Sequence, residues 1–297
     1  MNQGHGLNLE KELQEQSEKD WEFGAASLKC LAEIPEEERE NYLPKGEVQK
    51  GVEDMMDCAT RGPLNILETK FNWLLRNKKL SFENEFWLKQ NGYVKLHNAL
   101  YEVEFSDAFV AINSGTTRNG NSLKAPLEAI RKQGLIPKYK LPLGSWMTWE
   151  DYHNPARITE NMRQLGQEFI ERFTINYERV FETGFETLLQ KDLLDVAGYA
   201  WPDLIKGEYS FTEIPPNHIF VGIKLPQTYI FDNYEEIAGD FIKKLASDYN
   251  FFEYGYRIFI TAERKQILTG QENIIENHRV LPWWKRLWGY WSNETMK

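Results

Sequence analysis

The chain has 297 residues, with 35 Lys and Arg against 45 Asp and Glu, and its formal net charge is −10 at pH 7. Its content of 41% hydrophobic residues is enough for a substantial core, which excludes global disorder. The acidic balance disfavours nonspecific binding to the nucleic-acid backbone, which requires clustered Lys and Arg. We therefore expect no nucleic-acid partner.

Cysteine and histidine usage limits the kinds of site that the chain can build. The two cysteines, Cys30 and Cys58, exclude a disulfide framework and favour a reducing compartment. The histidines are scattered without an H-x-x-x-H pair, and the cysteines lack the paired spacing of a zinc site. We expect neither a metal nor a cofactor. The N-terminus lacks the basic segment and apolar run of a secretory signal, and no apolar run is long enough for a spanning helix.

Helical patterns dominate the first two thirds of the chain. Two short charged stretches carry no wide apolar stripe and are expected on the surface. A longer stretch starting at Pro63 has apolar residues at three- and four-residue steps, which predicts an amphipathic helix. We predict helices over residues 9–20, 34–41, 63–77, 122–133 and 159–182, the fourth ending at Gly134.

Strand patterns follow in the last third. The mixed region 188–200 contains LLDVAGYAW, which suggests a strand, and 254–262 predicts another. Between them, strands over 218–225 and 228–234 form a hairpin through Pro226 and Gln227. Helices followed by strands predict an α+β fold, with a helical half and then a strand-rich half.

Cys58 lies just before the predicted helix, with four residues between it and Pro63, a residue favoured in a first helical turn. A thiol at that place feels the positive end of the helix dipole, which predicts a lowered pKa and a larger thiolate fraction. The alternative is a buried structural cysteine, because cysteine is among the most buried residue types.

A base and an orienting group for this thiol are found in the predicted hairpin. His218 opens the first strand, and Asp232 and Asn233 lie near the end of the second. A tight turn near residue 226 predicts that positions 218 and 232 lie roughly opposite each other. An imidazole facing a carboxylate or amide is the base and the orienting group of a nucleophilic site.

The order of these residues resembles that of papain-like cysteine peptidases: Cys58, then His218 160 residues later, then an Asp or Asn 14 residues beyond. The stretch FSDAFVAINSGTTRNGNSLKAPLEAIRKQGLIPKYKLP is similar to the family's Gly/Asn-rich turn and the helix after it, and HIFVGIKLPQTYIFDNYEE to its strand after the catalytic His. The same stretches are similar to papain-fold proteins of tailed phages and uncultured bacteria. The resemblance implies a papain-like domain over 43–262, between an N-terminal extension, 1–42, and a Trp-rich C-terminal extension, 263–297.

The resemblance implies cleavage of a peptide or protein substrate through an acyl-enzyme. Cys58 would attack, His218 would act as base and then acid, and Asp232, with Asn233 as second choice, would orient the imidazole. The missing disulfides and the missing secretory signal fit a location in the cytoplasm or a virion, without secretion by a signal peptide.

Some positions differ from the family pattern. Ala59 follows the cysteine where the family usually has Trp, and Val52 stands where the family has its oxyanion Gln. The nearest candidate for the oxyanion is Gln49, nine residues before Cys58. These differences favour the alternative, a catalytically inactive papain-fold structural or binding protein such as a phage particle component.

The C-terminal stretch LPWWKRLWGYW carries five large aromatic rings, from Trp283 to Trp291, interspersed with Lys285 and Arg286. Such a stretch suits a membrane interface or burial against a protein partner. The alternative is that the rings fold back onto the chain's own domain.

Overall fold

The structure is a computed structural model that describes residues 6–15, 22, 30–47, 49–200, 204–205, 208–211, 213, 215–224, 228–234 and 241–263. Three predicted features lie outside these residues: the hairpin turn at Pro226 and Gln227 with the strand residue before it, residues 16–20 of the first predicted helix, and the Trp-rich stretch 283–291. Within them, no helix is long and apolar enough to cross a membrane. The same residues contain no group of three or more His, Cys, Asp and Glu side chains that could hold a metal ion.

The helical half is built around one long buried helix. The helices are α1 (Leu9–Glu15), α2 (Cys58–Arg76), α3 (Phe82–Gln90), α4 (Asp107–Ser114), α5 (Lys124–Gln133), α6 (Trp149–Tyr152), α7 (Glu160–Arg172) and α8 (Phe185–Leu189). The predicted acidic helix near residue 36 is a 3-10 helix, Glu36–Tyr42. The prediction that α2 begins at Pro63 is wrong, because the helix begins at Cys58 itself and continues through the proline. Pro63 is the sixth residue of this helix, so the carbonyl of Ala59 lacks its usual donor within the helix.

Most of the strands that the structure describes belong to one large sheet. The strands are β1 (Val94–His97), β2 (Leu100–Val103), β3 (Phe173–Phe181), β4 (Leu194–Gly198), β5 (Leu204–Ile205), β6 (Glu208–Tyr209), β7 (His218–Lys224), β8 (Thr228–Phe231), β9 (Ile242–Leu245) and β10 (Tyr254–Glu263). β1 and β2 form a separate hairpin, and the others form a sheet in the order β3-β10-β4-β7-β8-β9-β6-β5. The α+β prediction is therefore confirmed.

The predicted helix over 159–182 is wrong in its second half. α7 ends at Arg172, and the next residues form β3. β3 pairs antiparallel with β10 over its whole length, from Phe173 opposite Glu263 to Phe181 opposite Tyr254. Pairing with a strand so distant in the chain outweighs the local helical pattern, since strand preference depends on the neighbouring strand.

The register of the β7–β8 hairpin also differs from the prediction. Val221 lies opposite Phe231 and Gly222 opposite Ile230, and the register then shifts to Lys224 opposite Tyr229. Continued from the first two pairs, this register would place position 218 opposite 234 and not opposite 232. The register shift between Gly222 and Lys224 is a local irregularity, which bends the strand and changes which residues lie opposite each other.

α2 packs directly on the sheet. Gly62 allows the close approach, because a Cβ at that position would lie 2.1 Å from Asp195 Oδ1 on β4. Further along the helix, the ring of Phe71 packs edge-on against Phe173 at 5.0 Å and against Phe105 at 5.6 Å between centroids. The Gly62 contact brings the first part of α2 close to β4, and the Phe71 contact joins its later part to β3.

We expect that Asp195→Asn stabilises the protein above about pH 5. Asp195 is fully buried, and neither carboxylate oxygen has a hydrogen-bond partner among the described residues. Burial raises the pKa of Asp195 well above its usual value, and Glu12 raises it further. The stability contributed by the protonated carboxyl is fully present below the unfolded-state pKa of about 3.9, and it is lost as the pH rises through the folded-state pKa.

Urea unfolding of both proteins between about pH 4 and 8 tests this expectation. The free energy of unfolding of the Asn variant should exceed that of the wild type by at least about 1 kcal/mol near neutral pH. The difference should shrink toward pH 4. A difference that does not change with pH would contradict the assignment of the effect to Asp195 ionisation.

Candidate active site

Cys58 is the first residue of α2, and its side chain has no exposed surface. Its sulfur accepts a hydrogen bond from the backbone N–H of Ile219, the residue after His218. The preceding Asp57 anchors the helix start: its Oδ1 accepts from Arg61 Nε at 3.0 Å and its Oδ2 from the Tyr152 hydroxyl at 2.6 Å. The fold therefore brings the thiol to the start of β7.

The prediction of a lowered pKa for Cys58 is wrong. Burial raises the pKa of the Cys58 thiol well above its usual value, and the carboxylates of Asp54, Asp57 and Asp232 raise it further. The hydrogen bond from Ile219 acts in the other direction but does not compensate. Loss of solvation outweighs the helix dipole because no water reaches the sulfur. In this state of the protein the thiol is protonated.

His218 and Asp232 are in direct contact. The ring Nε2 of His218 lies 2.5 Å from Oδ1 of Asp232, and neither residue has exposed surface. The same oxygen accepts the backbone N–H of Asn233 at 2.7 Å. Burial alone would raise the pKa of Asp232, but His218 and the nearby Lys243 together hold it below its usual value. Asp232 is therefore a charged acceptor beside the imidazole.

Asn233, the second candidate for the orienting group, points elsewhere. Its side-chain Nδ2 donates to the carbonyl of Glu47 at 3.0 Å, and its Oδ1 accepts from Asn65 Nδ2 at 3.0 Å. These bonds tie the end of β8 to α2 and to the loop before it. The structure thus brings Asp232 to His218, while Asn233 joins the two halves of the fold.

Gln49 is buried near His218, but its amide is engaged. Its Nε2 donates to Asp54 Oδ1 at 3.0 Å and to the Tyr234 hydroxyl at 2.7 Å, which uses both amide hydrogens. The Tyr234 hydroxyl donates in turn to Asp54 Oδ2, and its ring lies 5.0 Å from the His218 ring between centroids. Gln49 would have to break one of these bonds to donate to an oxyanion.

Comparison with known proteins rests on structure alone. No family model and no curated protein matches the chain. Xylellain, a cysteine protease from Xylella fastidiosa, matches with 12% identity over 84% of this chain and 94% of its own, at a TM-score of 0.51. The Amb a 11 cysteine protease, a ragweed pollen allergen, matches in its proform with 12% identity over 89% of this chain and 76% of its own, at a TM-score of 0.50. This chain has a divergent papain-like fold.

A short N-terminal segment crosses the candidate site of this papain-like fold. We call Gly6–Asn8 the covering segment. Leu7 forms a parallel β-bridge with Asn121. The backbone hydrogen bonds run from Leu7 N–H to Asn217 O (3.2 Å), from Asn8 N–H to Asn121 O (2.8 Å) and from Asn121 N–H to Gly6 O (2.9 Å). The covering segment is thus held on one side by the turn before α5 and on the other by the residue before His218.

Two glycines allow the covering segment to lie directly over the thiol. A Cβ at Gly6 would lie 2.9 Å from Cys58 Sγ and 2.8 Å from the Met56 carbonyl oxygen. A Cβ at Gly120 would lie 2.0 Å from the carbonyl oxygen of Gly6. Both positions have positive φ, which also favours glycine. Larger residues at either position would displace the segment from Cys58.

Helix α1 anchors the covering segment to the papain-like domain. Glu12 is buried; its Oε1 accepts from the Tyr254 hydroxyl at 2.5 Å and its Oε2 from the backbone N–H of Leu123 at 2.5 Å. Burial raises the pKa of Glu12. Lys11 Nζ adds a bond to Asn121 Oδ1 at 2.5 Å. The prediction that this helix lies on the surface is wrong for Glu12. A helix without an apolar stripe can still be held against the domain, here by the two hydrogen bonds of a buried carboxylate.

Sequence reasoning missed several residues of this site. Tyr234 follows Asp232 by two positions and could have been included with the hairpin. Asp54, Lys243 and the covering segment carry no local signal, because each reaches the site through contacts between distant parts of the chain.

Proposed function

We propose that this protein is a cysteine peptidase that cleaves peptide bonds in peptide or protein substrates, and that its covering segment holds it in a closed state. The contact between His218 Nε2 and Asp232 Oδ1, at the start of the strand that donates a hydrogen bond to Cys58 Sγ, carries this proposal. The papain-like fold supports it. A thiol, an imidazole and a carboxylate in this order form a nucleophile, a base and an orienting group.

The proposed reaction follows from the protonation states of the closed site. The bond to Asp232 uses Nε2, so Nδ1 of His218 is the atom that would accept the Cys58 proton as the sulfur attacks the substrate carbonyl. The backbone N–H groups at the start of α2 have no partners within the helix and suit the developing oxyanion. His218 then returns the proton to the leaving amine, and water hydrolyses the thioester to complete the cycle.

A non-catalytic papain-fold binding or structural protein is the second candidate function. The engaged amide of Gln49 and the fully buried, protonated thiol of Cys58 favour it. In that case the covering segment would be a permanent part of the fold. Activity of an uncovered variant separates the two candidates.

Turnover of a peptide library by the full chain and by a Gly6→Val variant tests the proposed function. We expect that Cys58→Ala and His218→Ala each lower turnover by at least about a thousandfold in both backgrounds, since the nucleophile and its base act as a unit. The matched controls Cys30→Ala and His97→Ala should stay within about twofold, because no step uses these side chains.

Circular dichroism and thermal unfolding confirm that each variant is folded. Turnover that survives in the Cys58 variant would remove this thiol from the reaction. No turnover in either the full chain or the Gly6→Val variant would favour the non-catalytic candidate.

A further inference from the structure

A lysine shares the carboxylate of Asp232 with His218. Lys243 lies on β9 opposite Ile230, and its side chain is almost fully buried. Its Nζ lies 3.1 Å from Asp232 Oδ2, and it also donates to the carbonyl of Tyr234. His218 occupies the other oxygen, Oδ1. One carboxylate therefore bridges an imidazole and an ammonium group inside the protein.

Such an arrangement has an electrostatic consequence for the imidazole. A buried carboxylate without a compensating charge favours a protonated ring beside it. A carboxylate paired with an ammonium group carries no net charge as a pair, so its effect on the ring resembles that of a neutral acceptor. Lysine is almost never fully buried unless it is paired, because burial of an isolated ammonium group is very costly. The ion pair with Asp232 provides that compensation.

We propose that Lys243 is a positioning residue of this site, which fixes Asp232 Oδ2 and cancels the carboxylate charge so that Asp232 orients His218 without forcing it into the charged form. This inference rests on the proposed function, because it explains how His218 stays able to accept a proton. It also makes a prediction about ring protonation that holds whether or not the protein turns over a peptide.

Other titratable groups face the same pair from the elements packed around it. α2 and the loop before it contribute the thiol and carboxylates, the segment after β8 contributes a phenol, and the loop before β10 contributes another. These groups are Cys58, Asp54, Asp57, Tyr234 and Tyr249. Because they are the same in every variant below, changes in ring protonation report on the pair alone.

The test is a double-mutant cycle on the full chain. Lys243→Met removes the positive charge, and Asp232→Asn removes the negative charge while keeping the shape. The double variant removes both and leaves a neutral amide beside His218. Lys243→Arg keeps the charge, and Lys244→Met is the matched control on β9, since Lys244 is partly exposed and pairs with Glu208.

The measurement is nuclear magnetic resonance of protein labelled with 15N-histidine, in which ring shifts report the ratio of charged to neutral His218 across a pH series. We expect Lys243→Met to raise this ratio on the order of tenfold at a given pH, and Asp232→Asn to lower it by a similar factor. The double variant, Lys243→Arg and Lys244→Met should lie within about threefold of the wild type, because each preserves the net charge beside the ring.

Opposite shifts in the two single variants, with recovery in the double variant, support the proposal, since a merely structural lysine would not produce them. A Lys243→Met ratio unchanged from the wild type overturns it, and so does a double variant displaced as far as Lys243→Met. If Lys243→Met does not fold, the other two variants test the proposal. The ratio of charged to neutral His218 should fall in Asp232→Asn and return toward the wild-type value in the double variant. Failure of the proposed function would be seen in a separate experiment. Neither the full chain nor the Gly6→Val variant would then turn over a peptide, or their turnover would survive in Cys58→Ala.

Discussion

Gly6→Val should uncover Cys58 and raise its alkylation rate by roughly ten- to hundredfold. The covering segment is held by backbone hydrogen bonds, each contributing about 1 kcal/mol, and by the buried side chain of Leu7, which contributes about 2 kcal/mol. A Cβ at Gly6 would overlap both Cys58 Sγ and the Met56 carbonyl. The larger side chain therefore cannot occupy the covered position, and the thiol gains access to solvent.

A pair of glycine variants provides the matched control. Gly120 and Gly115 both have positive φ, +83° and +70°, so alanine is strained at each. Alanine at Gly120 would overlap the carbonyl of Gly6, whereas nothing lies within 4 Å of a Cβ at Gly115. Only Gly120→Ala should therefore accelerate labelling of Cys58.

Iodoacetamide labelling followed by mass spectrometry gives the rate for each cysteine in the same sample. Cys30 is also buried, and its sulfur contacts the Ala32 carbonyl at 3.2 Å and Lys70 Nζ at 3.7 Å. Its rate is the internal reference for general loosening of the fold. Equal acceleration of both thiols, or no acceleration in Gly6→Val, would contradict a specific cover over Cys58.

Arg61→Met should lower the free energy of unfolding by about 3–5 kcal/mol near neutral pH. Arg61 is fully buried one turn after Cys58, with Nε 3.0 Å from Asp57 Oδ1 and Nη2 3.4 Å from Asp107 Oδ2. The variant leaves the buried carboxylate of Asp57 and the partly buried carboxylate of Asp107 without their cation. Burial already raises the pKa of Asp107 to about 6 against the opposing effect of Arg61. The loss of unfolding free energy in Arg61→Met should therefore become smaller as the pH falls and Asp107 is protonated.

Urea unfolding at about pH 5 and pH 8 measures this effect. Arg131→Met is the control, because Arg131 pairs with Glu128 at 2.8 Å on the surface, where such a pair contributes less than about 1 kcal/mol. An Arg61→Met deficit as small as that of the control would mean that the buried cluster does not stabilise the start of α2. A deficit independent of pH would point to lost packing and not to uncompensated charge.

The sequence alone determined the features that depend on local pattern. Apolar residues at helical spacing predicted α2, and the strand patterns near 218, 228 and 254 predicted β7, β8 and β10, from which the α+β fold followed. The order of Cys58, His218 and Asp232 suggested the papain-like fold, which structural comparison then confirmed. These predictions succeed because side-chain periodicity and turn residues act over a few positions of the chain.

Only the tertiary structure decided how these elements meet. β3 forms after α7 because β10, more than 70 residues away, pairs with it. The folded hairpin places Asp232, and not Asn233, in contact with His218.

The chemical state of the site was decided in the same way. Burial raises the pKa of Cys58 where a helix start alone would lower it, and Lys243 and the covering segment reach the site from distant parts of the chain. The physical reason is common to all of these. Solvation, charge pairing and strand pairing depend on neighbours in space, and those neighbours are set by long-range packing that local sequence patterns do not encode.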